Sequence, residues 1–130
     1  MKKLIIMTIM AMYGLSMQAQ EVQPQVRQEM TAEDYKIISD ETVDGVHYVV
    51  AAPSALVCSK QIDIQIKDGI IQSVAYTRGC DGNAKGIGAL IKGMSVEEAI
   101  RRLEGITCGK RPTSCPDQLA KALKEAKANA

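Results

Sequence analysis

The stretch that most constrains the fold is an alternating run that ends in a tight turn. From Gln61 to Lys67, isoleucine stands at every second position and a polar residue stands between. This period of two is typical of a strand with one buried face. Asp68-Gly69 is a strong hairpin signal, and residues 70–77 have the composition of a returning strand. The sequence therefore predicts an antiparallel hairpin over residues 61–77.

The remaining elements complete an α+β class. A third strand is predicted near residues 46–50, with His47 on its exposed face and without a metal-binding partner near it in sequence. Helices are predicted at 84–92, after the Ser95 capping box, and from Pro116 onward, where Ser114 is a suitable N-cap. The expected fold is a short antiparallel sheet, the hairpin plus one strand, packed by about three helices.

The N-terminal segment is predicted to be an export signal. Two lysines precede an apolar run of 14 residues from Leu4 to Met17, and small and polar residues follow it. We expect a signal peptide at 1–19, a periplasmic or secreted protein, and no stable membrane span after cleavage. Residues 20–45 are predicted to be a linker with a short helix through Ile38, and residues 46–130 one domain.

Charge and composition argue against nucleic acid as a partner. The chain has a net charge of +1, which falls to −1 when the two lysines of the signal are removed. It contains neither Trp nor Phe, so few side chains are available to stack on bases.

The four cysteines are the candidate site residues. The hairpin brings Cys58 and Cys80 to one edge of the sheet, while Cys80 and Cys115 each precede a predicted helix. Cys108 is tied to Cys115 by a short loop. Four converging thiols would suit Zn²⁺ or an iron–sulfur cluster, although their spacing matches no zinc finger.

Two alternatives to a metal remain open at this point. An exported chain with an even number of cysteines can form two disulfides, and Cys108 and Cys115 could instead act as a free redox pair. Gly86 and Gly88 have a similar ambiguity. Close packing of their helix on the sheet is the favoured interpretation, and approach of the backbone to a ligand is the alternative.

Several short motifs resemble the TSCPD-domain family over about residues 46–127. They are Cys58-Ser59-Lys60, Gly79-Cys80-Asp81-Gly82-Asn83, Cys108-Gly109-Lys110 and the signature Thr113-Ser114-Cys115-Pro116-Asp117. The family includes a domain similar to the C-terminal part of adenosylcobalamin-dependent ribonucleotide reductases. The resemblance implies a link to ribonucleoside-diphosphate reductase, an accessory role in deoxyribonucleotide synthesis, and a reductase-type enzyme as partner. A chain of this length is too small for the radical cofactor site and barrel of that enzyme, so we expect no catalysis by the domain alone.

A more distant resemblance is to iron–sulfur scaffold proteins of the IscU and NifU type. Cys58, Cys80 and Cys115 fall on the three scaffold cysteines, whereas Lys60 and Ser114 replace the scaffold aspartate and histidine. Cys108 could supply a fourth ligand. The resemblance implies an IscU-like fold and, with these departures, a closed four-cysteine structural metal site rather than a labile scaffold.

Overall fold

The computed structural model describes residues 35–130, and within them four strands are followed by three helices. The predicted signal peptide and the first part of the predicted linker lie outside the described residues. The elements in chain order are β1 (Lys36–Val43), β2 (Val46–Ala52), β3 (Gln61–Lys67), β4 (Ile70–Thr77), α1 (Asp81–Ile91), α2 (Val96–Leu103) and α3 (Cys115–Asn129). This confirms the α+β class. No helix in this part of the chain has the length and apolar character to cross a membrane.

The sheet is an antiparallel meander in the order β1-β2-β3-β4. The predicted hairpin forms β3 and β4, with Gln61 opposite Thr77 and Lys67 opposite Ile70. Asp68 and Gly69 join them with φ values of 51° and 73°. These left-handed conformations are the ones a type I′ turn requires, which explains why Asp-Gly stands there.

Strand β1 corrects the prediction for residues 36–43, which were expected to end a short helix and continue as a linker. These residues pair with β2 from Lys36 opposite Ala52 to Val43 opposite Val46. A second Asp-Gly turn, Asp44-Gly45, joins the two strands with φ values of 51° and 77°. The short helical pattern was therefore overridden by a hairpin turn of the same kind as Asp68-Gly69.

His47 also differs from its predicted place on the exposed face of its strand. Its residue surface is 8% exposed, and it shares a face of β2 with the buried Val49 and Ala51. Its Nε2 contacts Asp40 Oδ1 on β1, the strand that the sequence analysis did not predict. Burial raises the pKa of Asp40, but hydrogen bonds from His47 and Asn129 outweigh this and leave it below its usual value.

The core lies between the sheet and the helices. The three isoleucines of β3 at positions 62, 64 and 66 are buried, as the alternation predicts. The predicted apolar stripe of α3 is confirmed, because Leu119, Ala122, Leu123 and Ala126 are all fully buried. The helices thus cover one face of the sheet. At the end of the sheet where β3 begins and β4 ends, the connecting loops form a pocket.

Candidate functional site

All four cysteines line one pocket of about 400 Å³. It lies at the end of the sheet where β3 begins and β4 ends, beside the N-termini of α1 and α3. Its apolar wall includes Val57, Tyr76, Ile87 and Leu90. The fold therefore brings the four candidate residues, which span positions 58 to 115, to the wall of one pocket.

The hairpin holds the loops of Cys58 and Cys80 against each other, as predicted. Lys60 N donates a hydrogen bond to Thr77 O at 2.8 Å, which extends the β3-β4 pairing to this edge. Gly79 has a φ of 101°, and a Cβ built on it would lie 3.5 Å from Ser59 N and 3.7 Å from the Cys58 carbonyl carbon. These distances are ordinary van der Waals contacts, so it is the left-handed conformation that favours glycine here.

Cys80 is the N-cap residue of α1, which begins at Asp81 rather than at the predicted Ala84. The first turn closes through Ala84 N, which donates to Cys80 O at 2.8 Å. The glycine and asparagine at positions 82 and 83 were interpreted as a turn, but they are accommodated in the first helical turn. Cys80 thus lies at the positive end of the helix dipole.

The signature residues mainly hold the loop before α3 in place. Ser114 is the N-cap, as predicted: its Oγ accepts from Asp117 N at 3.2 Å and donates to Ile106 O at 2.6 Å. Asp117 accepts from Thr113 Oγ1 at 2.6 Å and from Gly105 N at 2.8 Å. Burial raises the pKa of Asp117, but these two hydrogen bonds and the nearby Lys121 leave it lowered.

Gln118 extends this network to the loop before β3. It is fully buried, its Nε2 donates to Thr113 Oγ1 at 3.0 Å, and its Oε1 accepts from Ser54 N at 2.8 Å. The start of α3 is therefore fastened to the loops on both sides, and Cys115 is placed at the pocket by several buried hydrogen bonds.

Cys115 begins α3 and receives two polar neighbours. Ser59 Oγ donates to Cys115 Sγ at 3.2 Å, and Ser59 is 1% exposed. The Tyr76 hydroxyl donates to the Cys115 carbonyl oxygen at 3.5 Å. Burial raises the pKa of Tyr76, and the charge of Cys115 raises it further, so Tyr76 remains a neutral hydrogen-bond donor.

Cys108 and Arg111 are the two ends of a tight turn. Arg111 N donates to Cys108 O at 3.1 Å, and Gly109 within the turn has a φ of 58°. The Arg111 guanidinium donates from Nη1 to Cys58 Sγ at 3.6 Å. This hydrogen bond and the charge of Cys58 raise the pKa of Arg111, with smaller contributions from Cys108 and Cys115.

The pocket is also lined by two arginines, neither of which was predicted from the sequence to be a site residue. Arg78 and Arg111 are the only charged residues on its described wall, which has no aspartate or glutamate. Arg78 has a φ of 62°. A left-handed conformation costs a non-glycine residue about 1–2 kcal/mol, and such strain is concentrated at functional sites. No sequence pattern marks either arginine, because their placement depends on the two turns that carry them.

Gly86 and Gly88 have different surroundings. A Cβ at Gly88 would lie 2.6 Å from the backbone oxygen of Val74 on β4, so this glycine permits close packing, as predicted for both. A Cβ at Gly86 would meet nothing within 4 Å, and Gly86 lines the cysteine pocket. The alternative of a backbone that faces a ligand therefore applies to Gly86 alone.

The donor set fits a thiophilic metal, but the thiols are not assembled around one point. All four cysteines are free thiols, and Cys115 is the least exposed of them. Among residues 35–130, no group of three or more His, Cys, Asp and Glu side chains is close enough to hold a metal ion. Soft thiolate ligands select zinc, Cu(I) and iron–sulfur clusters over hard cations. His47 does not line this pocket.

The fold and the pocket define a class of small α+β domain with four thiols around one pocket at the start of the last helix. The family model described as the TSCPD domain matches residues 33–127, and the chain belongs to that family. The match confirms the predicted family and also covers β1. Neither the curated proteins nor the solved structures compared with the chain gave a match. The IscU-like fold and the ribonucleotide reductase link remain predictions.

Proposed function

We propose that this TSCPD domain is a metal-binding module in which Cys58, Cys80, Cys108 and Cys115 hold one Zn²⁺ ion or iron–sulfur cluster. The observation that carries the proposal is that four loops or helix starts place their cysteines on one pocket. To share one ion, the thiols must lie closer together than they do in this structure. Cys108 is exposed on a short turn, so its side chain is not packed in the core.

The surroundings of the thiols support their role as ligands. Cys80 and Cys115 lie at helix N-termini, where the dipole stabilises a negative sulfur. Ser59 and Arg111 donate hydrogen bonds to Cys115 and Cys58. No carboxylate lines the pocket, so the charged oxygen ligands that favour a hard cation such as Mg²⁺ or Ca²⁺ are missing from its described wall. Thiolate is also the form that a metal requires.

A Zn²⁺ ion with four protein ligands would have no open position for substrate, so its role would be structural. Its binding free energy would add to the stability of the domain. The two loops of the hairpin edge, the Cys108 turn and the start of α3 would then be joined through one ion or cluster. The predicted result is a rigid surface at this end of the sheet.

Metal titration of the reduced full chain tests the proposal. Co²⁺ bound by four thiolates has intense sulfur-to-metal charge-transfer absorption, and Zn²⁺ should displace it with one equivalent per chain. Each single Cys→Ser variant should weaken binding, whereas Ser73→Ala on β4 should not. A chain that gives no charge-transfer absorption and retains neither zinc nor iron above background would refute the proposal.

A second candidate is a thiol–disulfide accessory of a reductase-type enzyme in deoxyribonucleotide synthesis. The observation that favours it is that Cys108 and Cys115 are free thiols on the same pocket. As a redox pair they would exchange with a partner disulfide through a mixed disulfide. If the predicted signal peptide directs export, however, two structural disulfides become the competing state. Mass spectrometry of the non-reduced exported chain separates these states by the number of protons lost.

A further inference from the structure

We propose that Arg78 and Arg111 form a charge-balancing pair that offsets the negative charge of the sulfur centre in the cysteine pocket. The inference deepens the proposed function, because it assigns to two residues the electrostatic requirement of a four-thiolate site. The two arginines should produce a positive electrostatic potential at the four sulfurs, and this potential can be measured without a metal.

The charged residues on the pocket wall are all positive. Both arginines line the pocket, and no acidic residue is present on its described wall to neutralise them. A Zn²⁺ ion with four thiolates has two excess negative charges, as does an oxidised four-cysteine iron–sulfur cluster. Two arginines are the number of positive side chains that such a centre needs for neutrality.

Arg111 contacts one of the candidate ligands directly. Its guanidinium donates from Nη1 to Cys58 Sγ at 3.6 Å, across a sequence separation of 53 residues. The turn from Cys108 to Arg111 is closed by the hydrogen bond of Arg111 N to Cys108 O at 3.1 Å. One short turn therefore provides both a candidate ligand and the positive group that contacts another ligand. N–H donors to ligating groups commonly orient them and tune the metal.

Arg78 has an unusual backbone conformation. Among residues 35–130, the non-glycine residues with positive φ are Asp44, Asp68 and Arg78. The two aspartates belong to Asp-Gly hairpin turns, where that conformation is expected. Arg78 has no such turn chemistry, yet it is held left-handed directly before Gly79 and Cys80. A strained arginine on the wall of the cysteine pocket is consistent with a functional requirement for its charge.

The test compares two alkylating reagents that react with thiolates by the same displacement of iodide and carry different charges, so that their intrinsic reactivities cancel when the variants are compared. Iodoacetate is an anion and iodoacetamide is neutral, so their rate ratio at each cysteine reports the local electrostatic potential. In the reduced, metal-free full chain, Arg78→Gln and Arg111→Gln should each lower this ratio at the pocket cysteines about three- to tenfold at low salt, as expected for loss of one charge several ångströms away. Arg111→Lys keeps the charge and should retain most of the ratio. Arg101→Gln, on α2 and away from the pocket, should leave it unchanged.

Salt and zinc provide independent arms. Both arginines are exposed, so high salt should bring the wild-type ratio close to that of the Gln variants. The Gln variants should also bind Zn²⁺ about three- to tenfold more weakly in chelator competition. If the rate ratio is unchanged in both variants, the pair is refuted, whatever the wild type does with zinc. If the ratio falls but the wild type binds no metal, the positive field is supported and the proposed metal function is overturned.

Discussion

Gly86 and Gly88, which lie two residues apart in α1, give a prediction in which the same substitution has opposite effects on stability. At Gly88 an alanine Cβ would lie 2.6 Å from Val74 O, well inside contact distance. The obstacle is a backbone carbonyl of β4, which cannot rotate away as a side chain can. At Gly86 the same methyl group would meet nothing within 4 Å.

The magnitudes follow from two competing effects. Alanine gains about 1 kcal/mol over glycine in a helix interior, and this gain applies to both positions. Overpacking costs about 1–3 kcal/mol, and a backbone obstacle favours the upper end of that range. Gly88→Ala should therefore lower the free energy of unfolding by about 2 kcal/mol, whereas Gly86→Ala should raise it by about 0.5–1 kcal/mol.

Urea unfolding of the reduced, metal-free full chain measures both values. The midpoint should fall for Gly88→Ala and rise for Gly86→Ala, with the slope unchanged, because neither substitution alters the surface exposed on unfolding. In thermal unfolding, each kcal/mol corresponds to about 4–8 °C for a domain of this size. If Gly88→Ala is as stable as Gly86→Ala, α1 can move away from β4 without loss, and the packing argument fails.

Three further predictions concern the signature network and the strained arginine. Thr113→Val removes the hydroxyl between Asp117 and Gln118, and should lower the free energy of unfolding by about 1.5–3 kcal/mol, measured in urea. Asp117 has a lowered pKa in the folded chain, so its stabilising contribution is complete above about pH 4 and is lost as the pH falls through the folded pKa. Asp117→Asn should remove that part of the acid dependence, and an unchanged stability profile below pH 5 would contradict the assignment. Arg78→Gly relieves the left-handed strain and should stabilise the chain by about 1 kcal/mol, where a loss of stability would show that Arg78 is held there for packing.

The sequence predicted those parts of the fold in which the local residue pattern matches the burial of the element. The alternation of β3 and the Asp68-Gly69 turn were sufficient for the central hairpin, and the hairpin in turn placed Cys58 near Cys80. Strand β1 was missed although Asp44-Gly45 is a turn of the same type, because its strand is mostly exposed and lacks a clear apolar alternation. The wrong placement of His47 followed from that omission, since the polar partner that permits its burial lies on β1.

The site was predicted less completely than the fold, and the reason is physical. Cysteines can be counted in a sequence, and a hairpin or helix start places them at a known end of an element. The charge around them depends instead on where turn residues point, which a period of two or 3.6 does not specify. Arg78 and Arg111 lie on such turns, and only their positions in three dimensions show that they share a pocket with the thiols.

The five signature residues separate into a scaffold and a site, which bears on what family membership implies for function. Thr113, Ser114 and Asp117 form hydrogen bonds that fix the loop and the first turn of α3, and they would do so with any ligand in the pocket. Cys115 is the one signature residue with a reactive side chain on the pocket. Membership in the TSCPD family therefore accounts for the position of one thiol. In the proposed centre, the chemistry would depend on the three other cysteines and on the arginines of the pocket. Substitutions at those positions, rather than in the signature, should therefore separate metal affinity from folding.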